Sequence, residues 1–251
     1  MSYKHLKRNI TIIIFVFVII ILTFVCTNEV CDVITNSKIS SFVNRGTLEK
    51  TENNIEYYKV SKKYDYEDTT SRIIDEASDN IGTTGDIYII STDWGDSFIT
   101  KYICENLRVG HAGIVYDKLA TYTYEVVGNR KKSENIVNEY VNDWKDVHNY
   151  KELIILRVKG IDNNDRDKIK NHLDEIKGSK YNYFPFIHLK NRYYCTDLVT
   201  RTYKDALNIN INEFFISTGS SMINNDNTYI VYYKKEIKKG DIKARIYYLG
   251  D

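Results

Sequence analysis

The chain has 251 residues, with 35 Lys and Arg against 34 Asp and Glu, and its first thirty residues differ sharply from the rest. A formal net charge of +1 gives no broad electrostatic pull toward nucleic acid or acidic ligands, so the nucleic-acid-binding classes are excluded. The length fits one globular domain behind a short leader.

Residues Ile10 to Cys26, ITIIIFVFVIIILTFVC, carry no charge, and Lys4, Lys7 and Arg8 stand just before them. At a helical rise of 1.5 Å this run spans roughly 25 Å, near the lower limit for crossing a hydrocarbon core. No small-residue cleavage site follows it, so an uncleaved anchor is preferred to a removed signal peptide. Lipid modification of Cys26 is disfavoured because Phe24 and Val25 replace the small residues expected before it. The positive flank places everything beyond about residue 30 on the outer face of the cell membrane, or outside the cell if the leader is removed. Cys26, Cys31, Cys104 and Cys195 form no disulfide framework and no metal-ligand spacing, so neither a metal nor another cofactor is expected.

Three segments follow: an anchor over 1–27, a polar stalk over 28–80 and a folded domain over 81–251. The stalk shows no sustained apolar period, although 70–77 has helical spacing and a spacer reading is equally open. Beyond Gly82 the pattern predicts a strand over 86–91, a helix over 96–107, a β-hairpin of 111–116 with 122–127, and a strand over 153–158. A helix from about Asp165 to Lys177 is closed by Gly178, and a second runs from Cys195 to Leu207. Strands over 228–233 and 241–249 complete an α+β domain with a mainly antiparallel sheet.

A cysteine in the first turn of a helix sits where unpaired N–H groups and the helix dipole favour thiolate, which singles out Cys195 as a nucleophile. The dipole alone contributes little over ~1 kcal/mol, so a histidine partner is required. His5 lies on the inner side of the membrane run, His148 in a polar connection, and His172 on a helix face directed to solvent. His188 remains open. His111 is preferred because it begins a strand between small residues, in Gly110-His111-Ala112-Gly113. A three-residue loop centred on Lys118 would pair position 111 with Glu125, whose carboxylate could then fix the imidazole tautomer. The ordinary alternatives are a packing cysteine, a turn histidine and a surface carboxylate.

The sequence order Gly85-Asp86-Ile87, Gly110-His111-Ala112-Gly113-Ile114, Tyr124-Glu125-Val126, Gly178 to Phe184, and Tyr194-Cys195-Thr196-Asp197-Leu198-Val199 resembles the YiiX/YaeF-like permuted papain-like amidases of the NlpC/P60 superfamily. The resemblance covers about residues 82 to 215, and its specific feature is that the cysteine helix follows the histidine strand. It implies a circularly permuted papain-like fold, with an antiparallel sheet packed on the cysteine helix. It also implies a catalytic set of Cys195, His111 and Glu125, with Asp86, Tyr181 and Tyr194 as candidate substrate-binding residues. Two departures stand out: Thr196-Asp197 replaces Ser-Glu, and Ile211-Asn212-Glu213-Phe214 replaces a Pro-Asp-like segment, which puts the far wall of the pocket in question. The implied activity is thiol-dependent cleavage of an amide, such as a peptidoglycan stem peptide. A thiol acyltransferase or lipid esterase and a non-catalytic surface binding module are the alternatives.

Overall fold

The computed structural model describes residues 3–69, 80–91, 102, 105–128, 134–144, 152–212, 214, 216–237 and 240–250. The helix expected over 70–77, most of that expected over 96–107, Cys104 and His148 lie outside these residues. The protein is α+β, with one long apolar N-terminal helix and a large, mostly antiparallel sheet.

Helix α1 runs unbroken from Tyr3 to Val43. In its first half, residues from Ile10 to Val25 are exposed. Thr23 and Thr27 donate to the carbonyls four residues back, so their hydroxyls do not interrupt the apolar surface. The stretch is long and apolar enough to cross a membrane, a test that an N-terminal signal sequence also passes. In the second half, Asn28, Cys31, Thr35, Ile39 and Phe42 are buried at three- and four-residue intervals, the spacing of one helix face.

Residues 28–43 and 46–60, expected to belong to a polar stalk, instead pack on the domain as helix and sheet. After α1 come β1 (Gly46–Glu52) and β2 (Ile55–Val60), an antiparallel hairpin. Its two-residue turn, Asn53-Asn54, has positive φ at both positions (51° and 64°), the geometry that matches strand twist and that asparagine tolerates. Strand β2 then pairs in parallel with β11 (Ala244–Leu249), and Tyr58 stacks on Tyr247 at 4.6 Å. These strands carry little apolar alternation: β1 is almost wholly polar and β2 mixes charged residues with two tyrosines over a half-exposed edge.

The remaining strands are β3 (Ile87–Ser91), β4 (His111–Val115), β5 (Tyr122–Val126), β6 (Val137–Val141), β7 (Glu152–Val158), β8 (Lys180–Tyr181), β9 (Arg192–Tyr193) and β10 (Thr228–Glu236). The large sheet has the order β1-β2-β11-β10-β7-β3-β4-β5-β6. Its central strands β3 and β7 are buried on both faces, which accounts for their nearly continuous Ile, Leu and Val content.

Helix α2 (Asn163–Ile176) begins at an Asp162–Asp165 capping box, two residues earlier than predicted, and Gly178 follows it at φ 85°. Helix α3 (Cys195–Leu207) has the predicted bounds and ends at Asn208 in the left-handed region. It lies on β4, β5 and α2. The short α4 (Gly219–Asn224) joins α1 to β10: Lys38 donates to the Asn224 carbonyl at 2.7 Å, and the Asn224 amide donates to Thr35 at 3.0 Å. Gly219 is needed at the start of α4, since a Cβ there would lie 2.3 Å from the Arg108 carbonyl.

Asp86, just before β3, is fully buried and takes two hydrogen bonds from Arg157 on β7, at 2.8 and 2.7 Å. The Arg157 side chain is buried with it and also donates to the Asp68 carbonyl. Removing one partner of such a pair strands a charge in a dry interior. Asp86→Ala should therefore lower stability by about 3–5 kcal/mol in denaturant unfolding of the detergent-solubilised chain. A loss below about 1 kcal/mol would mean that water reaches Arg157.

Candidate functional site

The site lies where β4 begins, β5 ends and α3 begins. Tyr194 is the N-cap of α3 in extended conformation and offers no side-chain cap, so Cys195 enters the first turn where backbone N–H groups are left without helical acceptors. Cys195, His111, Tyr181 and Tyr194 line one cavity of about 470 Å³.

His111 Nε2 is 2.6 Å from Glu125 Oε2. Cys195 lines the same cavity as this imidazole, near enough for its side chain to raise the His111 pKa. The contact with Glu125 does not arise from the predicted register. Ile114 pairs with Tyr124 and Val115 with Thr123, so the loop between the strands runs over five residues, 117–121, and it is Gly113 that stands opposite Glu125. Because this shift is two residues, an even number, Glu125 stays on the predicted face and reaches His111 diagonally. A Cβ at Gly113 would lie 2.9 Å from Glu125 Cγ and 3.2 Å from Trp144, so glycine leaves the space the carboxylate occupies.

Trp144 was not anticipated from the sequence. Its indole N–H donates to Glu125 Oε1 at 2.7 Å, and its ring stacks on His111 with centroids 5.2 Å apart and planes 15° from parallel. Thr123 donates to the same carboxylate oxygen. Asn142 fixes the tryptophan by accepting from its backbone N–H while donating to the Ala120 carbonyl. Trp144 lies three residues past β6 in a stretch without periodicity, and only the Asn-x-Trp spacing, suited to an Asx turn, hints at an ordered position.

Burial works against both charged groups, and their neighbours reverse it. For Glu125 desolvation favours the acid form, but the hydrogen bond and charge of His111, with donors from Thr123 and Trp144, hold its pKa below the ordinary carboxylate value. For His111 desolvation favours neutral imidazole, yet its interactions with the Cys195 side chain and with the Glu125 carboxylate, which accepts its N–H, raise its pKa well above the usual value near 6.5. A raised histidine pKa contributes stability that is complete below the unfolded value and is lost as pH rises through the folded one.

The other sequence candidates are placed differently. Tyr181 and Tyr194 line the cavity, and the Tyr194 hydroxyl accepts from the Ser217 backbone N–H at 2.9 Å. Asp86 does not line it; the expectation of a substrate-binding role fails because Arg157 and the Thr83 backbone N–H occupy its carboxylate. His188 is exposed and faces Asp197, with 3.7 Å between Nδ1 and Oδ1, outside the Cys195 cavity. His172, expected to reach solvent, is half-buried, and desolvation lowers its pKa.

The fold and site together define an α+β protein with a thiol, an imidazole and a buried carboxylate in line at the end of one helix. No family model matches the chain, and no curated protein matches it. Among solved structures it is similar to the crystal structure of metalloprotein yiiX from Escherichia coli O157:H7. The two are 19% identical with a TM-score of 0.45, over 59% of this chain and 96% of that one. That neighbour belongs to the YiiX/YaeF-like group whose motif order the sequence resembles.

The His111 shift is open to direct measurement. The imidazole Cε1 proton should titrate with a midpoint above that of free histidine, and both Cys195→Ala and Glu125→Gln should lower it. An unchanged midpoint in Cys195→Ala would show that the sulfur carries no charge beside the ring.

Proposed function

We propose that the protein is a thiol hydrolase with a circularly permuted papain-like domain, held at the outer face of the cell membrane by residues 10–26. In this reading it cleaves an amide bond, such as one in a peptidoglycan stem peptide. The observation that carries the proposal is the single imidazole held between Cys195 and Glu125 at the wall of one cavity.

The Cys195 sulfur attacks the substrate carbonyl carbon, and the carbonyl π electrons move to oxygen. When the tetrahedral adduct collapses, the C–N bond breaks and His111 delivers its Nδ1 proton to the leaving nitrogen. Water then attacks the thioester while His111 takes its proton. The C–S bond breaks, releasing a carboxylic acid and restoring the thiolate–imidazolium pair. Glu125 holds the ring orientation throughout and stabilises its positive charge, and Trp144 keeps both groups in place. The oxyanion has two candidate donors: the Cys195 backbone N–H and the hydroxyl of Tyr181. Burial, then the charge of Cys195, raises the Tyr181 pKa far enough that the hydroxyl keeps its proton.

The neighbour's designation as a metalloprotein raises the question of a metal here. Among the described residues no group of three or more His, Cys, Asp and Glu side chains is placed to hold one, and His111 Nε2 is already engaged by Glu125, so the donor set does not fit a metal.

A second reading, acyl transfer or ester cleavage on lipid, draws support from the exposed Tyr183 in the cavity wall and the exposed Phe184 that follows it in the chain.

Iodoacetamide alkylation followed by peptide mass spectrometry tests the thiol chemistry. At pH 6.5 Cys195 should be modified faster than Cys104, and His111→Ala should slow it by at least about tenfold. Trp144→Phe retains a ring over His111 but loses the donor to Glu125, and a smaller decrease of about threefold to tenfold is expected. Equal, slow modification of both cysteines would refute the proposal.

A further inference from the structure

The loop between β8 and β9 displays an unusual amount of apolar surface beside the cavity. Tyr183, Phe184, Phe186 and Ile187 are 49%, 63%, 64% and 54% exposed, and Tyr183 and Pro185 also line the cavity wall. Part of the backbone of this turn is hydrogen-bonded within the turn itself. The buried Asn182 side chain donates to the Ile187 carbonyl at 2.9 Å and accepts from the Phe184 N–H at 3.0 Å, while the Ile187 N–H donates to the Phe184 carbonyl. Pro185 has no N–H to satisfy. Such a turn suits the hydrated interfacial layer of a bilayer, where its remaining backbone groups still meet water and headgroups.

Its position follows from the strand directions. Ile90 at the end of β3 pairs with His111 at the start of β4, and β5 ends beside them, so the cavity opens at one end of the sheet. Three residues before His111, Arg108 donates to Asp32 and to Asn36 of α1, both at 2.7 Å, and Tyr102 donates to Glu29. Asp32 is six residues past Cys26, about 9 Å along the helix axis from the end of the apolar run. The cavity end of the sheet is thus the end nearest the apolar half of α1. Lys180, Lys190 and Arg192, which flank the turn in sequence, are exposed and can attract lipid phosphates.

We propose that the 183–187 turn sits in the interfacial layer of the bilayer that α1 enters, so that the mouth of the Cys195 cavity opens onto lipid. The inference rests on α1 being a membrane anchor; it does not require the hydrolase chemistry. Aromatic and aliphatic side chains are the ones that partition into this layer, and the basic flank adds attraction to anionic headgroups.

The full-length chain, reconstituted into phosphatidylcholine–phosphatidylglycerol vesicles, allows a test with Phe186→Trp. The control is Leu119→Trp, an exposed position in the β4–β5 loop at the opposite end of the sheet. Emission added by the new tryptophan, relative to the unaltered chain, is measured with brominated-chain lipids and with aqueous acrylamide. The expected result is that F186W emission falls by about half in brominated vesicles and resists acrylamide, whereas L119W does the reverse. If F186W behaves like L119W while the chain floats with vesicles after an alkaline wash, the turn is in water and the proposal fails although the anchor stands. A blue-shifted F186W emission that bromine does not quench would place the turn against protein and also overturn it. Loss of flotation would remove the anchor, and the proposal with it.

Discussion

The Glu125 carboxylate governs the architecture around it. An ionised carboxylate in a dry interior is stable only when donors surround it, and here His111, Thr123 and Trp144 converge on its two oxygens from three separate stretches of chain. Each donor is fixed in turn: His111 by strand pairing with β3, Trp144 by Asn142, and Thr123 by its place on the same strand two residues away. The absence of a side chain at Gly113 makes room for the arrangement. In this way the need to compensate one buried charge positions the imidazole that Cys195 meets.

Much of the site was legible because its parts obey local rules. The helical period after Cys195, the small residues around His111 and the alternation through Glu125 each state the secondary structure and the face presented. What the sequence could not convey was pairing at a distance. A five-residue hairpin loop looks much like a three-residue one in this composition, and the predicted partner of His111 was displaced by two positions. Parity of the pleat preserved the contact. Asp86 shows the opposite outcome, since Gly-Asp before a strand suits a pocket or a core, and the deciding partner, Arg157, lies 71 residues away. The β1–β2 hairpin was lost for a third reason. A half-exposed edge carries too weak an alternation to be distinguished from a polar linker, and the Asn53-Asn54 pair was the one local indication of a turn.

Arg108 links the two halves of the molecule. Its backbone carbonyl packs closely on Gly219 of α4, its guanidinium grips Asp32 and Asn36 of α1, and its chain continues within three residues into His111. Its left-handed backbone (φ 47°) turns the chain between these contacts. The N-terminal helix and the cavity are consequently parts of one packed body.

The continuity of α1 from its apolar half into that body has a consequence for what the cavity can reach. A domain on a slack leash samples a hemisphere of solution, whereas one mounted on a stiff rod reaches only what passes at a set height and angle. With α1 embedded, encounters become a search in two dimensions, and the molecules available to Cys195 are those confined to, or pressed against, the same sheet of lipid.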